Sequence, residues 1–171
     1  KLLSKSRIVF VPSQIDKSIK INSEEADLVA KLLKHIKEVK GEKFEPKKTV
    51  GVITPFRAQI ANIRNKLNGE FFDVTIDTVE RFQGSERDIV IISFAIKSTN
   101  QLASIQSLND EGVDRKLNVA ITRAKDHLIM MGSEDLLNSS LLFKDLIEHV
   151  KSKGGYMSNP LLEDINTKNL F

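Results

Sequence analysis

A chain of 171 residues, 40% hydrophobic and 29% charged, has the size and composition of one globular domain with a single substantial core. It has no cysteine, and its histidines (His35, His127, His149) lie far apart, which excludes disulfides and thiolate metal sites and leaves no metal-ligand spacing. No apolar run approaches the roughly 18 residues of a membrane span and no signal-peptide shape is visible, so a cytoplasmic setting without membrane contact is expected.

Ile8-Val9-Phe10-Val11, stopped by Pro12, reads as a buried strand. Asn22 offers an N-cap and Glu24 and Glu25 an acidic first turn. Ala26, Val29, Ala30, Leu33 and Ile36 then recur at helical spacing, which predicts a helix to about Lys40, ended by Gly41. Residues 41–49 are polar and read as a loop. Val50-Gly51-Val52-Ile53 is a second buried strand, and Thr54-Pro55 marks the turn into a helix with Ile60, Ile63 and Leu67 as its inner stripe, broken at Asn68-Gly69. Val74-Thr75-Ile76 and Ile89-Val90-Ile91-Ile92 give two more strands, residues 97–112 a polar surface loop. The stretch Leu117 to Lys125 reads as a helix, followed by a strand over His127 to Met131. A last helix runs from about Ser140 to Lys153 and ends at Gly154-Gly155. The tail from Tyr156 is expected as a loosely packed extension. The chain begins with Lys1 rather than Met, so a piece of a longer protein is expected.

Val- and Ile-rich strands alternating with amphipathic helices imply an α/β fold, a mostly parallel sheet covered on both faces. Functional residues gather in such sheets where strands end and helices begin. The net charge of +3 says little about nucleic acid. The distribution says more: Arg57, Arg64, Arg81, Arg87, Arg115 and Arg123 all fall in one central stretch, whereas the lysines are spread throughout. Arginine is favoured where a planar group must meet phosphate or carboxylate oxygens.

Three segments combine such residues. In Thr54-Pro55-Phe56-Arg57, Phe56 is read either as a base-stacking ring or as core, and Arg57 as a phosphate contact. The segment from Thr75 to Ser93 is read as a solvated loop or as a nucleotide-facing turn. In the second case Gly84 permits close backbone approach, Gln83 and Glu86 hydrogen-bond a ribose or a phosphate-bound water, and Thr78 meets a nucleic-acid phosphate. In the third, Arg123 at a helix end is either a solvated surface charge or a guanidinium aimed at a phosphate on a neighbouring domain.

In order and spacing these segments resemble the second motor domain of superfamily 1 helicases. Ile53-Thr54-Pro55-Phe56-Arg57-Ala58-Gln59 looks like motif IV, Thr78 to Asp88 like motif V, and Leu117 to Lys125 like motif VI. The similar branch contains the nonsense-mediated-decay RNA helicase and the replication-associated helicase-nucleases, and the likeness covers about residues 22 to 150. It implies a RecA-like three-layer fold over residues 1–155, with 156–171 as a C-terminal extension, truncated in the given chain. It implies an ATP-dependent nucleic-acid helicase, a hydrolase acting on ATP. ATP with Mg²⁺ would be held mainly by a first RecA-like domain of the same polypeptide, and single-stranded DNA or RNA would cross both domains of a monomer. Arg123 takes the role of arginine finger and Arg57 of a second catalytic phosphate contact, with Arg64 as its rival because Ile60 stands where some relatives carry the arginine. Gln83, Gly84 and Glu86 would line the nucleotide side, and Thr54, Pro55, Thr78 and Val79 the nucleic-acid side. Lys125 replaces an arginine common in motif VI.

The sequence contains no Gly-x-x-x-x-Gly-Lys-Ser/Thr loop and no apolar strand ending in Asp-Glu. The chain alone is therefore expected not to hydrolyse ATP. The alternative function is a non-catalytic nucleic-acid or protein interaction module on the same fold.

Overall fold

The computed structural model describes residues 2–82, 85–108 and 111–157. Strands β1 (Ile8–Pro12), β2 (Val50–Ile53), β3 (Thr75–Asp77), β4 (Arg87–Ser93) and β5 (Ala124–Gly132) form one sheet in the order β1-β5-β4-β2-β3. Every pairing is parallel. Around it lie α1 (Leu2–Lys5), α2 (Ser23–Lys40), α3 (Pro46–Thr49), α4 (Arg57–Leu67), α5 (Thr99–Ile105), α6 (Arg115–Arg123), α7 (Glu134–Leu137) and α8 (Leu141–Ser152).

Side chains alternate across a strand, and here both faces are covered. Ile89 and Ile91 of β4 pack with Leu33 of α2 and Ile63 of α4, whereas Val90 and Ile92 pack with Leu117 of α6 and Ile147 of α8. β5 divides the same way, Ile129 and Met131 to one side, Leu128 and Met130 to the other. The result is the three-layer α/β architecture of a RecA-like domain. Among the described residues no helix is long and apolar enough to cross a membrane.

Helix α2 begins and ends where its residues predict. The Asn22 side chain accepts from the Glu25 amide, and Gly41 terminates the helix at φ +53°. Other boundaries differ. Residues 97–112 are not all irregular: Ser98 caps α5, which is anchored by the buried Leu102. The 41–49 segment holds a 3₁₀ turn (Gly41–Lys43) and α3, started by Pro46. Helix α6 stops at Arg123 rather than Lys125, because Ala124 already pairs with Arg87 in the β4–β5 ladder. Tyr156 is packed, not loose: it bridges to Phe10, stacks on its ring at 6.0 Å and donates its hydroxyl proton to Glu134. The rest of the expected extension, 158–171, lies outside the described residues.

At the carboxyl edge of the sheet one carboxyl ties strands to helix. Glu25, fully buried on α2, accepts from Ser13 Oγ at 2.8 Å after β1, from Ser93 Oγ at 2.6 Å at the end of β4, and from the Ala95 amide at 2.9 Å. Burial pushes Glu25 up to about 7 despite the hydrogen bonds of Ser93, Ser13 and Ala95. Because the folded value lies above the unfolded 4.5, this group favours the fold fully below that value. The contribution falls away as pH rises through about 7, by up to about 3 kcal/mol.

Glu25→Gln keeps an oxygen for Ser93 and Ala95 and offers an amide proton to the Ser13 hydroxyl. Denaturant melts at pH 5 and pH 8 should show the variant losing clearly less stability than the parent between the two. His127, lowered by burial, works in the opposite sense in both proteins and cancels in that comparison. Equal losses would mean that Glu25 does not titrate in this window.

Candidate nucleotide and nucleic-acid sites

The motif IV turn leaves β2 at the carboxyl edge of the sheet. The Thr54 amide donates to Asp77 O at 3.1 Å, and the residue has no exposed surface. Its buried hydroxyl has no hydrogen-bond partner among the described residues. Thr54 thus supports the turn from beneath, and only Pro55 reaches the surface. Phe56 is core, buried against the layer that contains Phe82 and Phe94. Arg57, at the start of α4, is exposed.

Arg64 is not a free phosphate contact. It donates from Nη1 to Phe71 O at 2.9 Å and from Nη2 to Val74 O at 2.7 Å, holding the turn that follows α4. Ile60 packs partly buried against the core. Gln59 closes the motif IV match, and its sequence alone gives it no role. It is fully buried: Nε2 donates to Asn22 O and Ser93 Oγ, and Oε1 accepts from the Asn22 amide at 2.8 Å. The start of α4 is thereby tied to the start of α2 and the end of β4.

Motif V opens with a tight turn in which Thr78 O accepts from the amides of Arg81 and Phe82. Thr78 and Val79 are half-buried at the carboxyl edge. Phe82 is fully buried against Gly51, where an added Cβ would stand 2.3 Å from Phe82 Cζ. The Arg87 guanidinium lies 5.1 Å from the Phe82 ring centre and donates to Glu86 O and Thr75 Oγ1, each at 2.9 Å. Gln83 and Gly84 lie outside the described residues. Glu86 is exposed beside Lys125, Oε2 to Nζ 3.8 Å.

Motif VI forms α6. Asp114 caps it by accepting from the Lys116 and Leu117 amides, and Leu117 and Ala120 face the sheet. Arg123 ends the helix at the amino edge, one residue before Ala124, which pairs with Arg87 at the start of β4. Its Nε is buried with no hydrogen-bond partner among the described residues.

The expected site residues therefore divide between the two edges. Glu86, Arg123 and Lys125 lie at the amino edge, and Pro55, Arg57, Thr78 and Val79 at the carboxyl edge. Seven residues of β4 separate these ends by roughly 20 Å. The structure sets Arg57 and Arg123, the two arginines to which the resemblance gives phosphate contacts, at opposite edges of the sheet. Beside the carboxyl-edge turns opens an apolar groove of about 280 Å³, lined by Pro55, Phe56, Val79, Phe94, Ile105 and Leu117 among others. A Glu80–Lys116 ion pair (2.9 Å) crosses its rim, and that hydrogen bond holds the Glu80 carboxyl below its usual range.

Comparison with known proteins reaches the same segments. A family profile described as an AAA domain matches residues 10–135. The chain belongs to that family. An uncharacterized ATP-dependent helicase of Methanocaldococcus jannaschii is 32% identical over 83% of this chain and 19% of that protein. The regulator of nonsense transcripts 1 of Dictyostelium discoideum is 34% identical over 78% of the chain and 10% of that protein. The DNA replication ATP-dependent helicase/nuclease DNA2 of Xenopus tropicalis is 38% identical over 61% of the chain and 10% of that protein. The chain thus spans a fifth or less of these relatives, and it fits the C-terminal, second RecA-like domain of superfamily 1 helicases.

Gly51→Val tests how the amino-edge turn is held. Its side chain must displace Phe82 and, with it, the packing of Arg87. Overpacking of this kind costs about 1–3 kcal/mol, so the urea midpoint should fall. A Gly51→Val midpoint equal to the parent's would show that Phe82 is not wedged there.

Proposed function

We propose that this helicase domain supplies Arg123 as an arginine finger to ATP held on a first RecA-like domain of the same polypeptide, and half of a single-strand binding surface along its carboxyl edge. The observation that carries the reading is the buried Arg123 Nε with no partner among the described residues, beside exposed Glu86 and Lys125. A buried donor without an acceptor costs about 1–3 kcal/mol. A phosphate oxygen presented from a second domain would satisfy it, and a planar guanidinium fits two such oxygens. Bound ATP with Mg²⁺ would supply the phosphoryl group transferred to water. This chain's part is to place positive charge where negative charge develops, and Glu86 is available to a ribose hydroxyl.

Similarity to ATP-dependent helicases supports that activity for the polypeptide that carries this domain. At the carboxyl edge, Pro55, Thr78 and Val79 form the contact surface for single-stranded DNA or RNA, with Thr54 supporting it from below. Arg57 belongs to this surface by position rather than to the nucleotide. Two connections run between the edges: the 78–86 turn, and α6, whose nine residues span roughly 14 Å.

In the intact polypeptide, Arg123→Ala should lower strand-stimulated ATPase by about 10³–10⁵, with unfolding midpoint and strand affinity unchanged, while the isolated 171-residue chain should show no turnover. Retention of ATPase by the variant would remove the finger role and favour a non-catalytic module.

Strand binding through phosphates is salt-dependent. Exposed Arg81 and Arg115 flank the carboxyl-edge turns, so Arg81→Gln and Arg115→Gln should each reduce the slope of log K against log salt by about 0.7, equally for all sequences. Unchanged slopes in titrations from low to moderate salt would move the strand off this edge.

A further inference from the structure

We infer that the apolar groove at the carboxyl edge holds one nucleobase of the bound strand, turned out of its stack; this rests on the strand surface proposed above and deepens it. The groove opens between two proposed strand-contact residues, Pro55 and Val79, and the walls formed by α5 and α6. Its floor is aromatic and aliphatic, with Phe94 and Leu117 buried beneath it. At about 280 Å³ it is smaller than the pockets that take whole drug-sized ligands, and it suits a single planar ring system rather than a complete nucleotide.

Its rim selects the occupant. Arg57, Arg81 and Arg115 are exposed and each adjoins a lining residue in sequence (Phe56, Glu80 and Lys116), and Lys116 is a fourth cation on the rim. The carboxylates nearby are already engaged, Glu80 by Lys116 and Asp114 by the amides of α6. An apolar slot with exposed arginines one residue from three of its lining residues matches a base on a phosphate backbone: the ring enters while its flanking phosphates stay outside on the arginines. An apolar peptide side chain would use the floor and leave that charge unmatched. The Glu80–Lys116 pair adds an acceptor and a donor at the mouth for the edge of the base.

The test compares two strands of equal charge on the intact polypeptide: an oligothymidylate, and the same length with abasic sites throughout. Ser104→Trp fills the groove from its exposed α5 wall without touching the core. Anisotropy titrations should show the parent binding the thymidylate roughly tenfold more tightly than the abasic strand. The Ser104→Trp variant should lose that preference while keeping the abasic affinity and the parent's unfolding midpoint. Equal affinity of the parent for both strands would overturn the inference while leaving the phosphate surface intact, and would assign the groove to an apolar side chain of another domain. Preference for the base surviving in a folded Ser104→Trp protein would also overturn it. Failure of the parent to bind either strand would refute the underlying surface.

Discussion

The buried carboxyl of Glu25 fixes the edge on which the strand surface and the groove depend. Parallel strands end at one edge with their last carbonyls and amides unpaired, and the connections that leave them must be held by something other than the ladder. Glu25 holds the exits of β1 and β4 at once through Ser13, Ser93 and the Ala95 amide. Ala95 adopts φ +49°, a left-handed conformation that costs a non-glycine residue roughly 1–2 kcal/mol. The hydrogen bond from its amide is one of the contacts that maintain the bend. That bend directs the chain from Phe94 into α5, which walls the groove. Gln59 extends the same network to α4 through Ser93 and Asn22, so the turn bearing Pro55 and Arg57 is positioned by the same buried polar atoms.

The amino edge is organised differently. There the interior side chain is aromatic: Phe82 fills the space left by Gly51, and Arg87 lies over its ring with its guanidinium engaged by Thr75 and Glu86 O. Arg87 is therefore structural. Arg123, two positions from Lys125, is left with a buried Nε that nothing among the described residues accepts. The Lys125–Glu86 pair is about half exposed on both sides at 3.8 Å, a contact of little energetic weight that is easily exchanged for another partner.

Much of the fold is legible in the sequence because periodicity and caps act locally. Asn22 and Gly41 bound α2, and the Val/Ile runs of β2 and β4 are those of strands buried on both faces. The misplaced boundaries have tertiary causes. Polar residues in 97–112 hide a short helix that depends on one buried leucine, Leu102, and α6 yields to β5 at Ala124 because a ladder partner, Arg87, is waiting there. The site was less legible. Spacing sets Arg57 and Arg123 in one motif series but carries no information about which edge of the sheet each occupies; only the strand order β1-β5-β4-β2-β3 supplies that. Arg64 reads as a phosphate contact, Gln59 as the end of motif IV and Glu25 as an acidic first turn; the carbonyls, hydroxyls and amides they bind are brought to them only from distant segments.

The separation of edges bears directly on how the proposed motor would work. A nucleotide at the amino edge and a strand at the carboxyl edge share no atoms, so coupling must pass through something stiff. Helix α6 meets that need. Leu117 and Ala120 clamp it to the sheet, Asp114 fixes its first turn, and its two ends bear Lys116 on the groove and Arg123 at the amino edge. A force applied to Arg123 along the helix axis would be delivered to the groove wall, because a packed helix resists compression and its neighbours leave little room to tilt. The 78–86 connection joins the same two edges from the β3 side, but its described end at Glu86 carries only the hydrogen bond from Arg87 to its carbonyl and one exposed ion pair. Of the two links, α6 is the one built to transmit displacement, and the buried carboxyl edge network supplies the fixed frame against which that displacement would be felt.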